Sequence, residues 1–223
     1  MSRGYPYPAR RMRTCAALLV LLAACGDGGP TPSTTTATAA GTTAAPTTTS
    51  GPDVIEIRYR VERRTRDATT ADFALVVETT LADPRGWVRA GFRFVQDPEA
   101  DYRIVLAEGD EVDALCLPYD TFGEFSCQNG PVVALNADRW RTAHRKWTGG
   151  LLEYRQMLVN HEVGHLVGQH HPDVQCPRPG EPAPLMAQQS TELDGCLPNP
   201  WPLDHEIERA ARHDLKLAPG YGE

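Results

Sequence analysis

Residues 161–171 read His161-Glu162-Val163-Gly164-His165-Leu166-Val167-Gly168-Gln169-His170-His171, and every other part of the chain takes its meaning from them. On an α-helix, side chains four apart stand above one another, so His161 and His165 can offer two imidazole nitrogens to one metal ion. Glu162 lies about 100° round, on the flank of that face, where a carboxylate reaches a metal-bound water without ligating the metal. Gly168 can adopt a positive φ at low cost and end the helix, letting the chain swing back. In a continuing helix His170 would sit about 180° from His161 and His171 about 80° off, so neither would meet the ion. With a turn at Gly168 a third histidine can return, and the spacing H-E-x-x-H-x-x-G-x-x-H selects His171 over its neighbour His170. Three histidines and an open fourth position make a catalytic zinc site rather than a structural one. A shuffled chain of this composition would contain about 0.01 H-E-x-x-H pentapeptides, so a chance surface match is a poor explanation.

His161, Glu162, His165, Gly168 and His171, with Met186 downstream, resemble the zinc signature and Met-turn of the metzincin clan of metallopeptidases. The stretch from Asn160 to Trp201, including Pro184-Leu185-Met186 and Asn199-Pro200-Trp201, is similar to a secreted zincin-like family of high-GC Gram-positive bacteria. The resemblance implies an α+β fold: a small twisted mixed sheet with a covering helix, an active-site helix carrying the histidines, and a C-terminal subdomain with the Met-turn. It implies Zn²⁺ held by His161, His165 and His171, with Glu162 as general base and Met186 as an apolar floor beneath the metal. The substrate is then a peptide or protein. Some metzincins place a tyrosine just after the Met-turn to stabilise the oxyanion; here Ala187, Gln188 and Gln189 stand there instead. Tyr119, His170 and Tyr221 are the substitutes the sequence offers. The alternative from another class is a non-catalytic, zinc-containing surface lipoprotein that acts as a binding module, although a purely structural site gains nothing from Glu162.

The first 24 residues read as an export signal. Arg3, Arg10, Arg11 and Arg13 form a basic start, and Cys15 to Ala24 is an apolar run too short to span a bilayer. Leu22-Ala23-Ala24-Cys25 resembles a bacterial lipobox, with Cys25 as the acylated residue; a plain cleaved signal with a chance cysteine is the alternative. Two or more acyl chains suffice for stable membrane attachment. Residues 25–52 are almost entirely Thr, Ala, Pro, Gly and Ser, a composition that cannot bury a core and reaches about 30 Å as a random coil. The export signal, the linker and a catalytic domain over 53–223 are the expected organisation, with room for one domain of ordinary size. The formal charge is −7, and without the leader 18 cations face 29 acids. So acidic a surface repels nucleic acid and anionic lipid, which leaves the N-terminal anchor as the expected membrane contact.

Within 53–223, Val54 to Glu62 alternates apolar and charged residues as a half-buried strand should. Phe73, Val76, Val77 and Leu81 recur at helical spacing, and Phe92 to Val95 and Tyr102 to Leu106 read as two further strands. Val132 to Asn136 is another strand, either the exposed sheet edge to which metzincin substrates add or a plain core strand. The zinc helix starts near Gly149-Gly150, with Leu151, Leu158 and Leu166 facing the core. Trp140 and Trp147 read as anchors of the preceding loop. Asp204 to His213 reads as a helix capped by Asp204, with Ile207 and Ala211 inward. Beyond Cys25, four cysteines in an exported domain suggest two bridges; of three connectivities the local pairs Cys116 with Cys127 and Cys176 with Cys196 are preferred.

Overall fold

A computed structural model describes residues 54–191 and 193–212; the leader, the whole linker with Cys25, His213 and Tyr221 lie outside the described residues. The described chain is mixed α/β. Its centre is a five-stranded, mostly parallel sheet made of β1 (Ile55–Arg63), β2 (Phe92–Gln96), β3 (Tyr102–Ala107), β4 (Cys127–Asn129) and β5 (Val132–Asn136). The strand order is β2-β1-β3-β5-β4, and only β4 runs antiparallel, pairing Cys127 with Ala134 and Asn129 with Val132.

Alternation along each strand sorts the side chains. Ile57 and Tyr59 of β1 turn inward, while Glu56, Arg58 and Glu62 join ion pairs on the other face, for example Arg58 with Asp97 at 2.9 Å. β3 and β5 are buried on both faces: Ile104, Leu106, Val133 and Leu135 enter the main core, and Val105, Ala107, Val132 and Ala134 enter a smaller second one. The second core is closed by α2 (Gly109–Cys116) through Val112 and Cys116. This corrects the edge-strand reading of Val132–Asn136. β5 is an interior strand, and the short β4 is the edge.

The main core is covered by α1 (Phe73–Leu81) and by the long helix α4 (Leu151–Leu166). α4 starts at Gly150, whose amide donates to the Glu153 carboxylate at 2.8 Å. Leu158 and Leu166 are buried as expected, but Leu151, in the first turn, is 38% exposed and does not join the core. Trp140 belongs to a short helix, α3 (Ala137–Thr142), rather than to a loop, and packs edge-on against Phe73 at 4.9 Å. Arg155 ties three elements together: it donates to the Trp140 carbonyl at 2.8 Å and to the Asp72 carboxylate at 2.7 Å, at the start of α1. The Trp87 indole N–H donates to the Asn160 carbonyl at 2.9 Å, fixing the α1–β2 connection against α4.

Both expected disulfides are formed, Cys116–Cys127 and Cys176–Cys196. The first joins the end of α2 to β4. The second closes the irregular segment that follows α4, aided by a parallel bridge between Pro182 and Leu197. The last helix, α5 (Asp204–Ala210), has its N-cap at Leu203 rather than Asp204, and buries Glu206, Ile207 and Ala210 in place of Ala211. The capping group is the Glu206 carboxylate, which accepts from the Leu203 amide at 2.8 Å. No helix among the described residues is long and apolar enough to cross a membrane.

Candidate metal centre

α4 presents His161, Glu162 and His165, all buried, near its C-terminal end. The helix stops at Val167, and Gly168 follows with φ 81°, in the left-handed region where a side chain would be strained. The reversal is held by the Gln169 amide, which donates to the Gly164 carbonyl at 2.8 Å. It brings His171 back over the helix. His171 Nε2 lies 3.1 Å from His161 Nε2 and 3.1 Å from His165 Nε2. One ligand atom from each of the three residues falls within 4.8 Å of the others, and His170 is not in that group.

Backbone carbonyls fix the two helical imidazoles. His161 Nδ1 is 2.9 Å from the Leu185 carbonyl, and His165 Nδ1 is 2.8 Å from the Gln169 carbonyl. A carbonyl only accepts, so each Nδ1 carries the hydrogen and each Nε2 keeps its lone pair. The lone pairs of His161 Nε2 and His165 Nε2 therefore converge on His171 Nε2, a cluster that a cation between the three nitrogens would stabilise. Tetrahedral zinc with Zn–N near 2.0–2.1 Å separates its nitrogens by about 3.3 Å, close to what is seen here. The donor set and spacing fit Zn²⁺. Burial is the main reason all three bases resist protonation: His161 is pushed well below the usual imidazole value, His165 down to about 4, and His171 down, each also opposed by neighbouring imidazoles.

The Glu162 carboxylate makes no hydrogen bond among the described residues, and burial alone raises its pKa to about 8. A divalent cation beside it would pull that value back down. Glu162 and the three histidines line a cleft of about 270 Å³. One wall is Tyr119, Phe125, Cys127 and Gln128, from the disulfide-bonded loop and edge strand β4; the other is Gln188 to Thr191, and Met157 and Leu158 of α4 also line it. Of the three oxyanion substitutes, Tyr119 lines the cleft, His170 does not, and Tyr221 lies outside the described residues.

Met186 sits in a turn in which the Ala187 amide donates to the Pro184 carbonyl at 3.1 Å. Its side chain is buried against α4 at Gly164, the one position in that helix turn without a β-carbon. Sequence reasoning missed what holds this turn. The buried Glu206 carboxylate accepts from the Leu185 amide at 3.0 Å and the Met186 amide at 2.9 Å, while the Leu185 carbonyl faces His161. The available signal was a glutamate three residues after the N-cap of α5, without the serine or threonine that usually announces such a box.

No curated protein matches the chain. The family model described as "Protein of unknown function (DUF3152)" matches residues 27–206 of the 223, a span that takes in the sheet, the three histidines, Glu162, the Met186 turn and the first turn of α5. With most of its length inside that match, the chain belongs to the DUF3152 family.

Proposed function

We propose that this chain is an extracytoplasmic zinc-dependent endopeptidase of metzincin-like architecture, tethered to the membrane through an acylated Cys25. The observation that carries the reading is the convergence of three Nε2 atoms, two of them with their tautomer fixed by a backbone carbonyl, beside a buried carboxylate in an open cleft.

His161, His165 and His171 would hold the ion. Zn²⁺ so bound supplies Lewis acidity, polarising a carbonyl and lowering the pKa of water to about 7. Glu162 takes the proton from the water that attacks the scissile carbonyl and delivers it to the leaving amine. Its burial makes the carboxylate a stronger base than an exposed one, which suits that transfer. Tyr119 lines the cleft, and this reading gives its hydroxyl the role of steadying the developing oxyanion. A peptide is favoured over other substrates because β4, which borders the cleft, pairs on one side only among the described residues, and an extended chain can add to its other side by main-chain hydrogen bonding.

The test is incubation of the purified protein with a blocked-peptide library, with and without a chelator, alongside metal analysis. Cleavage that stops with the chelator and returns with zinc supports the reading. Bound zinc with no cleavage of any peptide overturns it in favour of a binding module.

A further inference from the structure

A second recess, of about 260 Å³, adjoins the cleft. Phe125, Ser190 and Thr191 line both, so the two lie side by side. The remaining wall is His144, Arg145 and Lys146, from the connection between α3 and α4, together with Glu124.

The charge of this recess is opposite to that of the molecule. The Glu124 carboxylate is taken up by Arg139 at 2.7 Å. Arg145 and Lys146 are exposed, and Arg145 forms no ion pair among the described residues. His144 is held neutral at pH 7, lowered by burial first and then by Arg139, with Glu124 opposing and Arg145 and Lys146 adding to the effect. Among the described residues lining the recess, two cations, Arg145 and Lys146, stand with one acid, Glu124, on a chain whose net charge is −7. A long polyanion would be repelled by the rest of that surface, whereas a single carboxylate would not.

We infer that the recess around Arg145 and Lys146 is a carboxylate subsite, selecting peptides that carry an acidic group next to the segment held in the cleft. The inference rests on the peptidase reading and names its substrate class. An internal acidic side chain and a free C-terminal carboxylate share this chemistry, and the experiment separates them.

Terminally blocked peptides of one sequence, with Glu, Gln or Lys scanned along the positions flanking the bond cut, are compared with a Gln peptide whose C-terminus is free. The zinc-loaded full chain should cleave the Glu peptide at one position with kcat/KM about fivefold above Gln, and Lys should be worst. Enhancement only with the free C-terminus assigns the subsite to the chain end. The preference should flatten at about 1 M salt, where the Debye length is about 3 Å, and invert toward Lys in Arg145→Glu. Arg93→Glu makes the same charge change on β2, at the sheet edge remote from β4, and should leave the preference intact. Equal cleavage of all the peptides, or a preference that survives Arg145→Glu, overturns the proposal. Anisotropy binding of the same peptides to the Glu162→Ala chain gives a readout independent of turnover. A Glu preference there with no wild-type cleavage removes the peptidase reading and keeps the subsite; no preference there removes the subsite.

Discussion

The sulfur of Met186 occupies the space that a β-carbon on Gly164 would need, and the Trp87 ring lies 2.9 Å from the same point. The glycine within the histidine pair is therefore required by packing beneath the helix rather than by helix geometry. Gly164→Ala should cost about 1–3 kcal/mol in chemical denaturation, because the indole and the thioether are both buried and cannot both retreat. Shortening the sulfur side chain in the double variant with Met186→Ala should recover part of that loss. An additive double variant would mean the two side chains do not compete.

Glu162→Gln should keep zinc but lower kcat by about 10²–10⁴, the usual worth of a general base. The metal-free protein offers a second readout. Burial raises the Glu162 carboxyl to about 8, so ionising it costs stability as pH rises from the unfolded value near 4.3 through 8. The metal-free Glu162→Gln protein should thus melt higher than metal-free wild type at pH 8 and no higher at pH 4. Equal melting at both pH values would contradict the cost of burying that charge.

His171→Ala should weaken zinc binding in a chelator competition by more than tenfold relative to His170→Ala, since only His171 brings a nitrogen to the other two. The reverse order would move the third ligand to the neighbouring position.

The pH dependence of metal loading has a definite sign. Free imidazoles bind protons below about 6.5, but here burial depresses all three, His165 to about 4. Stability of the metal-free protein from these neutral bases is present above about 6.5 and is lost as pH falls toward the folded values. Protons compete for the ligands only in that lower range. Zinc content measured after dialysis should stay near stoichiometric at pH 6 and fall as pH approaches about 4. Loss of metal centred at pH 6.5 would show imidazoles exposed to solvent.

Glu206→Ala leaves three backbone amides without their acceptor, two of them in the turn that carries Met186. Unfolding stability should fall by about 3 kcal/mol or more. Zinc affinity should fall with it, because the Leu185 carbonyl that orients His161 lies in the same turn. Glu206→Gln keeps one acceptor oxygen and should be milder on both counts.

How much of this was readable from the chain depended on how local each determinant is. β1, α1, β2, β3 and α4 follow from apolar periods within single segments, as do the spacing of His161, His165 and His171 and the turn at Gly168. α2 carries three acids in eight residues and buries only Val112 and Cys116, too short a stripe to register as a helix. β4 has three residues, fewer than an alternation needs, so the pattern alone leaves Val132–Asn136 open between sheet edge and core strand. The partners of His161 and His165 are the main-chain carbonyls of Leu185 and Gln169, and a carbonyl is carried by every residue type. The recess at Arg145 depends on Phe125 and Thr191 meeting across the fold, which no single segment reveals.

The Cys176–Cys196 bridge spans Pro182 and the Met186 turn, a region with little regular structure of its own. Loop closure of this length stabilises by about 3 kcal/mol. The ground beneath the three histidines is therefore held covalently as well as by packing, and reducing the bridge would loosen it.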